Sequence, residues 1–318
     1  MSKRADGFVL LTVIWVLAIL TVLTLGFGHR VMLDQRAAAL SIDQLQAQCM
    51  ARGAVEHAMG ELRNQAFYKH LARLEEQYNP NAQPSKPFPA CLGEVNLLDK
   101  EQYFSDEMGG EGDECRCIVE DEERRISVSA APEEMLDEVD ALSFTTVNEI
   151  VRRREREDTN VNTRPFLALE EVRLLDGVTE RAWFGQGDKP GLCDLLSVYG
   201  DGLINVNTAS EDVLRCIPDL DEDVVSAIIA YRDGKDGEPE TDDDQPFISL
   251  GEIAGKTGTS PDKLAPLAKY CKVESQFFRI TGFATRRSGI VSAKSEATVR
   301  VVGARVLVLQ WREGALGS

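Results

Sequence analysis

Histidine is almost missing from this chain, with three in 318 residues at His29, His57 and His70. All three fall near the start, on what reads as one helix, which argues against a catalytic histidine or a zinc cluster. Positive charge is also short: 35 Lys and Arg stand against 53 Asp and Glu, a net of −18. A surface of that sign repels DNA and anionic membrane surfaces. No Ser/His/Asp arrangement, paired-carboxylate motif or phosphate-cradling loop stands out, so the chain does not read as an enzyme. Cysteine is sparse and odd in number, at seven. In an oxidising compartment at least one stays unpaired. Cys115 or Cys117 with Cys91, and Cys216 with Cys271, are candidate pairs, and sequence does not fix the connectivity. Cys115 and Cys117 share one strand face at i and i+2, where neither easily bridges the other.

Two further absences shape the first eighty residues. No charge occurs from Phe8 to Gly28, a run of 21 residues, and no proline precedes Pro80. A helix of 21 residues rises about 31 Å, the thickness of a bilayer's hydrocarbon core. Lys3 and Arg4 precede it and favour a cytoplasmic N-terminus. No small-x-small cleavage site precedes His29, so a secretory signal fits poorly. The helical pattern then continues past the membrane. Ala47, Ala51, Ala54, Ala58, Leu62 and Ala66 repeat at three-to-four spacing, flanked by Met50, Val55 and Met59. Gly53 and Gly60 are expected to weaken this second half. The proline-rich "PNAQPSKPFP" at Pro80–Pro89 reads as a linker ending the stem.

A short polar leader ending in Gly7, followed at once by an apolar run from Phe8, resembles the N-terminus of a type IV pilin or pseudopilin. The resemblance implies that a prepilin peptidase cuts after Gly7 and that the new terminal residue, Phe8, is N-methylated. It also implies a glutamate at the fifth mature position, where this chain has Thr12. Lacking that acid is a feature of one minor pseudopilin of type II secretion, the K subunit.

The middle of the chain repeats itself. "ISVSAAPEEMLDEVDALSFTTVNEIVRRR" from Ile126 aligns without a gap on "INVNTASEDVLRCIPDLDEDVVSAIIAYR" from Ile204, at an offset of 78. Ile126, Val128, Ala131, Leu136, Leu142 and Ile150 match Ile204, Val206, Ala209, Leu214, Leu220 and Ile228. "PFLALEEV" from Pro165 and "PFISLGEI" from Pro246 follow the two copies. Each unit reads as a short strand, a capped helix, a tight turn, a second helix, a loop and a third short helix. Ser210 is a candidate N-cap, and Val224, Val225, Ile228 and Ile229 form an apolar face. The unit resembles a helix-hairpin-helix motif, which in general holds a nucleic-acid phosphate on backbone N–H groups of a glycine hairpin. Here the hairpin is "PDLDED", without glycine. Residues 204–232 carry six acidic and two basic side chains, and residues 126–154 carry six and three. Nucleic-acid binding is therefore not expected.

"FFRITGFA" from Phe277, "SEATVRVV" from Ser295 and "ARVLVLQWREG" from Ala304 alternate as an antiparallel meander. "CRCIVEDEERRISV" from Cys115 reads as a strand pair before the helices. The expected fold is α+β: a leader at 1–7, a membrane half-helix at 8–28 and a stem at 29–79. The first part of a small sheet domain follows at 80–130, a helical insertion at 131–274, and the last part of the sheet at 275–318. The order of "GLINVNTAS", the helical insertion and "VLVLQWREG" is similar to the K pseudopilin family, also called general secretion pathway protein K.

That resemblance implies a single-pass inner-membrane protein with its bulk in the periplasm, capping the tip of a pseudopilus and starting its assembly. The partners it implies are the minor pseudopilins I and J, other pseudopilins, the prepilin peptidase, secreted substrates and the outer-membrane secretin. The family's calcium also draws attention to "DGEPETDDD" at 236–244. Glu238, Glu240, Asp242, Asp243 and Asp244 there are candidate calcium ligands, hard oxygen donors in a loop without EF-hand spacing. The competing readings are a membrane-anchored helix-hairpin-helix DNA receptor of a competence-type system and a membrane-tethered enzyme.

Overall fold

The computed structural model describes residues 3–79, 93–96, 113–157, 165–187, 189–237 and 243–315. An apolar run without proline has no reason to stop being helical, and the first element, α1 (Lys3–Tyr78), is one continuous helix of 76 residues. Gly53 and Gly60 do not interrupt it: they lie on the side of the helix away from the alanines, and it is the alanine face that is held, by packing rather than by propensity. From Leu10 to Leu33 the large apolar side chains are exposed. Thr21 and Thr24 donate to the carbonyls of Leu17 and Leu20, four residues back, so their hydroxyls need no outside partner. Among the described residues, this is the one helix long and apolar enough to cross a membrane.

The second half of α1 buries Ala47, Met50, Ala51, Ala54, Val55, Ala58, Leu62 and Ala66. The expected alanine stripe is therefore a packing face, and small residues let a backbone come close. It meets an antiparallel sheet of β1 (Gly93–Asn96), β2 (Glu114–Asp121), β7 (Phe277–Arg286), β8 (Val291–Val302) and β9 (Arg305–Ala315), in that spatial order. Inward-facing Cys115, Cys117, Phe278, Ile280, Ala293, Ala297 and Val299 complete this core. At the tightest point a Cβ on Gly282 would lie 2.2 Å from the Ala51 carbonyl oxygen, so only glycine fits there.

Strands β2 and β7 are neighbours, with Asp121 opposite Phe278, yet residues 122–276 lie between them in sequence. That stretch holds the two repeat copies. Copy 1 runs through β3 (Ile126–Ser127), α2 (Glu133–Asp137), α3 (Phe144–Glu157), α4 (Glu180–Phe184), α5 (Leu192–Leu195) and β4 (Leu196–Ser197). Copy 2 runs through β5 (Ile204–Asn205), α6 (Glu211–Arg215), α7 (Glu222–Arg232), α8 (Ile253–Thr257), α9 (Ala265–Tyr270) and β6 (Cys271–Lys272). Each copy closes on itself by a two-residue parallel bridge, Ile126 to Leu196 and Ile204 to Cys271. The repeat's matched apolar residues share one core. Ile126, Val128, Leu136 and Ile150 lie in it beside Ile204, Val206, Leu214 and Ile228.

Two expectations are corrected. "CRCIVEDEERRISV" is not a strand pair: after β2 the chain makes a 3-10 turn at Glu122–Arg124, and β3 pairs with β4 instead. The six described cysteines, Cys216 and Cys271 among them, are free thiols, and Cys91 lies outside the described residues. Burial pushes the thiols of Cys115, Cys216 and Cys271 up to about 12, which leaves them unreactive.

Candidate functional site: anchor helix and acidic helical unit

The helical stretch 122–276 carries 34 acidic and 17 basic side chains, a net of −17, whereas residues 277–318 carry two and seven. Nearly all of the chain's excess negative charge therefore sits in one unit, and the sheet strands after it are basic.

Within copy 2 the hairpin between α6 and α7 has no glycine, and Asp219 takes the left-handed conformation at φ 59°. An aspartate tolerates this better than most side chains because its carboxylate bonds locally. Arg215 faces Glu211 at 2.7 Å and Glu222 at 2.8 Å, and Lys263 faces Asp221 at 2.7 Å. Arg215 and Lys263 are thus both engaged with carboxylates.

The last residue of each aligned segment is an arginine turned inward. Arg154 donates to the carbonyls of Val128 and Ala131, both at 2.7 Å. Arg232 donates to the carbonyls of Val206 at 3.0 Å and Ala209 at 2.7 Å. Both pairs keep the offset of 78, so one arginine ties the second helix of each copy to the segment after its first strand. Burial pulls the Arg154 guanidinium down to about 10, against the opposing charge of Glu133. The aligned segments already ended in these arginines, and that shared final residue was the available sign of their role.

The proposed calcium ligands are only partly placed. Glu238, Glu240 and Asp242 lie outside the described residues. The Asp243 carboxylate accepts from the Lys235 amide at 2.7 Å and lies over Gly234, where a Cβ would come within 2.5 Å of it. Asp233 is paired with Arg232 at 2.6 Å. Among the described residues no group of three His, Cys, Asp or Glu could hold a metal ion. Gly7 and Phe8 lie on the first turns of α1, and Thr12 lies on its exposed part.

Three consecutive acids, Asp121, Glu122 and Glu123, are buried where the chain leaves β2, each at most 1% exposed. Asp121 accepts from the Glu123 amide at 2.8 Å and from Asn205, Thr208 and Ser275 at 3.0, 2.6 and 2.5 Å. Glu122 forms an ion pair with Arg279 of β7 at 2.6 Å and accepts from Ser197 of copy 1. Glu123 pairs with Lys272 at 2.6 Å and accepts from the amides of Gln276 at 2.7 Å and Asp201 at 3.2 Å. Burial pushes the Asp121 carboxyl above the usual carboxylate range, although its four hydrogen bonds oppose the shift. Burial raises Glu123 too, against the opposing effect of Lys272. Sequence reading took these residues for part of a strand pair and gave their carboxylates no role.

No protein-family model and no curated protein matches the chain. Among solved structures, the crystal structure of the GspK-GspI-GspJ complex from the type 2 secretion system of enterotoxigenic Escherichia coli contains a similar chain. The likeness covers 64% of this chain and 80% of that one, at 10% sequence identity and a TM-score of 0.44.

Proposed function

We propose that this chain is a minor pseudopilin of type II secretion, of the K kind, which caps a periplasmic pseudopilus and starts its assembly for export of folded proteins. The observation that carries the reading is one uninterrupted helix, exposed and apolar at its start, then packed by an alanine face onto an antiparallel sheet. An element of that shape can sit in a membrane at one end and hold a head at the other. The polar leader ending in Gly7 supports cleavage there and methylation of Phe8. Thr12 supports a terminal position, since it offers no carboxylate to the free amine of a subunit stacked above. The bulk of residues 122–276 on the head points the same way. In this reading the protein is not an enzyme and binds no nucleic acid. Its partners are the I and J minor pseudopilins, and calcium binds the Glu238–Asp244 loop.

The helix-hairpin-helix scaffold is what favours a DNA receptor instead, and its acidic hairpins oppose that. One experiment separates the two readings. The tagged protein is purified from membranes with its pseudopili, its N-terminus is weighed, and the tag is located by electron microscopy. N-methyl-Phe8 with label at one filament end is expected. An intact leader in a strain with active peptidase, or regular label along the shaft, overturns the proposal.

A further inference from the structure

Exposed large apolar side chains are divided unequally between the two copies. Among the described residues, copy 1 exposes Phe144 at 74%, Leu174 at 83%, Phe184 at 61% and also Leu167, whereas copy 2 exposes Ile248 alone, at 40%. Three of the copy 1 set sit on adjoining segments. The Thr146 hydroxyl, at the start of α3, donates to the Asp176 carbonyl at 2.8 Å. A Cβ on Gly177, at φ +93°, would lie 2.9 Å from the Ser143 Oγ, so α3 begins directly against the turn that follows Leu174. Arg173 lies over the Phe184 ring at 5.4 Å and pairs with Glu180, which ties the same turn to α4. Copy 2 lacks this grouping. Phe144 aligns with Glu222 at the offset of 78, and Leu174 aligns with Gly255 when "PFLALEEV" is laid on "PFISLGEI". The same unit closes in copy 2 without these side chains, so folding does not account for them.

We propose that this surface of copy 1, Phe144, Leu174 and Phe184 around Arg173, docks a second protein that presents an apolar knob ringed by lysine and arginine. Aromatic rings and arginine are the side chains that most often anchor protein interfaces. Charge selects the occupant. Residues 126–197 carry 15 acidic and eight basic side chains. An anionic leaflet or a nucleic acid meets that surface with like charge, and so does a second copy placed patch to patch. A basic protein is drawn in by the same field. The proposal uses only the surface of the helical unit, so it does not rest on the pseudopilin reading.

Cross-linking from the patch itself tests this. The full chain, held in phosphatidylcholine nanodiscs, carries a photoreactive benzoylphenylalanine in place of Phe144 and is irradiated with three probes in turn. They are an amphipathic helix of leucine and lysine, the same helix with glutamate for lysine, and phosphatidylglycerol vesicles. Adducts with the leucine–lysine helix should exceed those with either other probe by about tenfold, and should fall about tenfold when Leu174→Ser and Phe184→Ser are combined. If that double variant does not fold, Leu174→Ser, the more exposed of the two, decides in its place. The same reagent in place of Ile248 samples the acidic surface of copy 2 and should capture far less of the leucine–lysine helix. An equal yield there would mean that charge alone draws the helix, and overturns the proposal. So do a yield unchanged by the serines, adducts chiefly with lipid or between two copies of the chain, and no adduct at all.

Discussion

The two repeat copies share a fold and differ in how they satisfy it. In copy 2, Asn207 donates to the carbonyls of Phe247 and Val273, both at 2.9 Å, and accepts from the Phe247 amide at 2.8 Å. Asn205 is bonded to Asp121 and Ser275, and Arg232 has the Asp233 carboxylate beside it. The copy 1 counterparts at the offset of 78 are Ser129, Ser127 and Arg154. Their Oγ, Oγ and Nη2 atoms are buried without a hydrogen-bond partner. Copy 1 also exposes Phe144, at 74%, where copy 2 has Glu222. The shared apolar positions and the arginine-to-carbonyl ties thus suffice to define the unit. The polar network is a separate layer that one copy has and the other lacks.

That comparison can be broken most sharply at the arginines. Arg232→Met strands two carbonyls and the buried Asp233 carboxylate, and should cost about 3–5 kcal/mol. Arg154→Met strands carbonyls only and should cost about 1–3 kcal/mol. Denaturant melts of the two variants side by side measure the difference, and equal losses would mean that Asp233 adds nothing. Next in size is Asn207→Ser, which gives copy 2 the copy 1 residue and should lose about 1–3 kcal/mol. The reverse change, Ser129→Asn, gives copy 1 the copy 2 residue and should gain up to about 1 kcal/mol by the same melts. The smallest effect is expected for Phe144→Glu. An exposed apolar side chain at a helix start is replaced by the acid its counterpart carries, and stability should stay within about 0.5 kcal/mol.

The alanine stripe of α1 and the apolar matches of the repeat were legible because burial imposes a period that sequence displays. The alternation in "FFRITGFA" was legible for the same reason. The bridges from Ile126 to Leu196 and from Ile204 to Cys271 were not, since two residues carry no period and their partners lie far along the chain. The strand pair expected after Cys115 failed where Glu122–Arg124 turns, because its charged side chains find buried partners from distant segments. Such partners leave no local mark. Of the candidate site, Gly7, Phe8 and Thr12 were read from their order along the chain, and Asp121, Glu122 and Glu123 were read only as part of a strand pair.

The contact of Gly282 with Ala51 has a mechanical side. A rod of 76 residues is about 114 Å long. The head grips it at three heights: Asp43 with Arg286 and Arg287, Ala51 with Gly282, and Lys69 with Glu274. The outer two grips are about 40 Å apart along the rod. Backbone against backbone in the middle leaves no side chain to yield, and ion pairs at both ends resist rocking. A push or twist applied to the apolar end is therefore delivered to the sheet without slack.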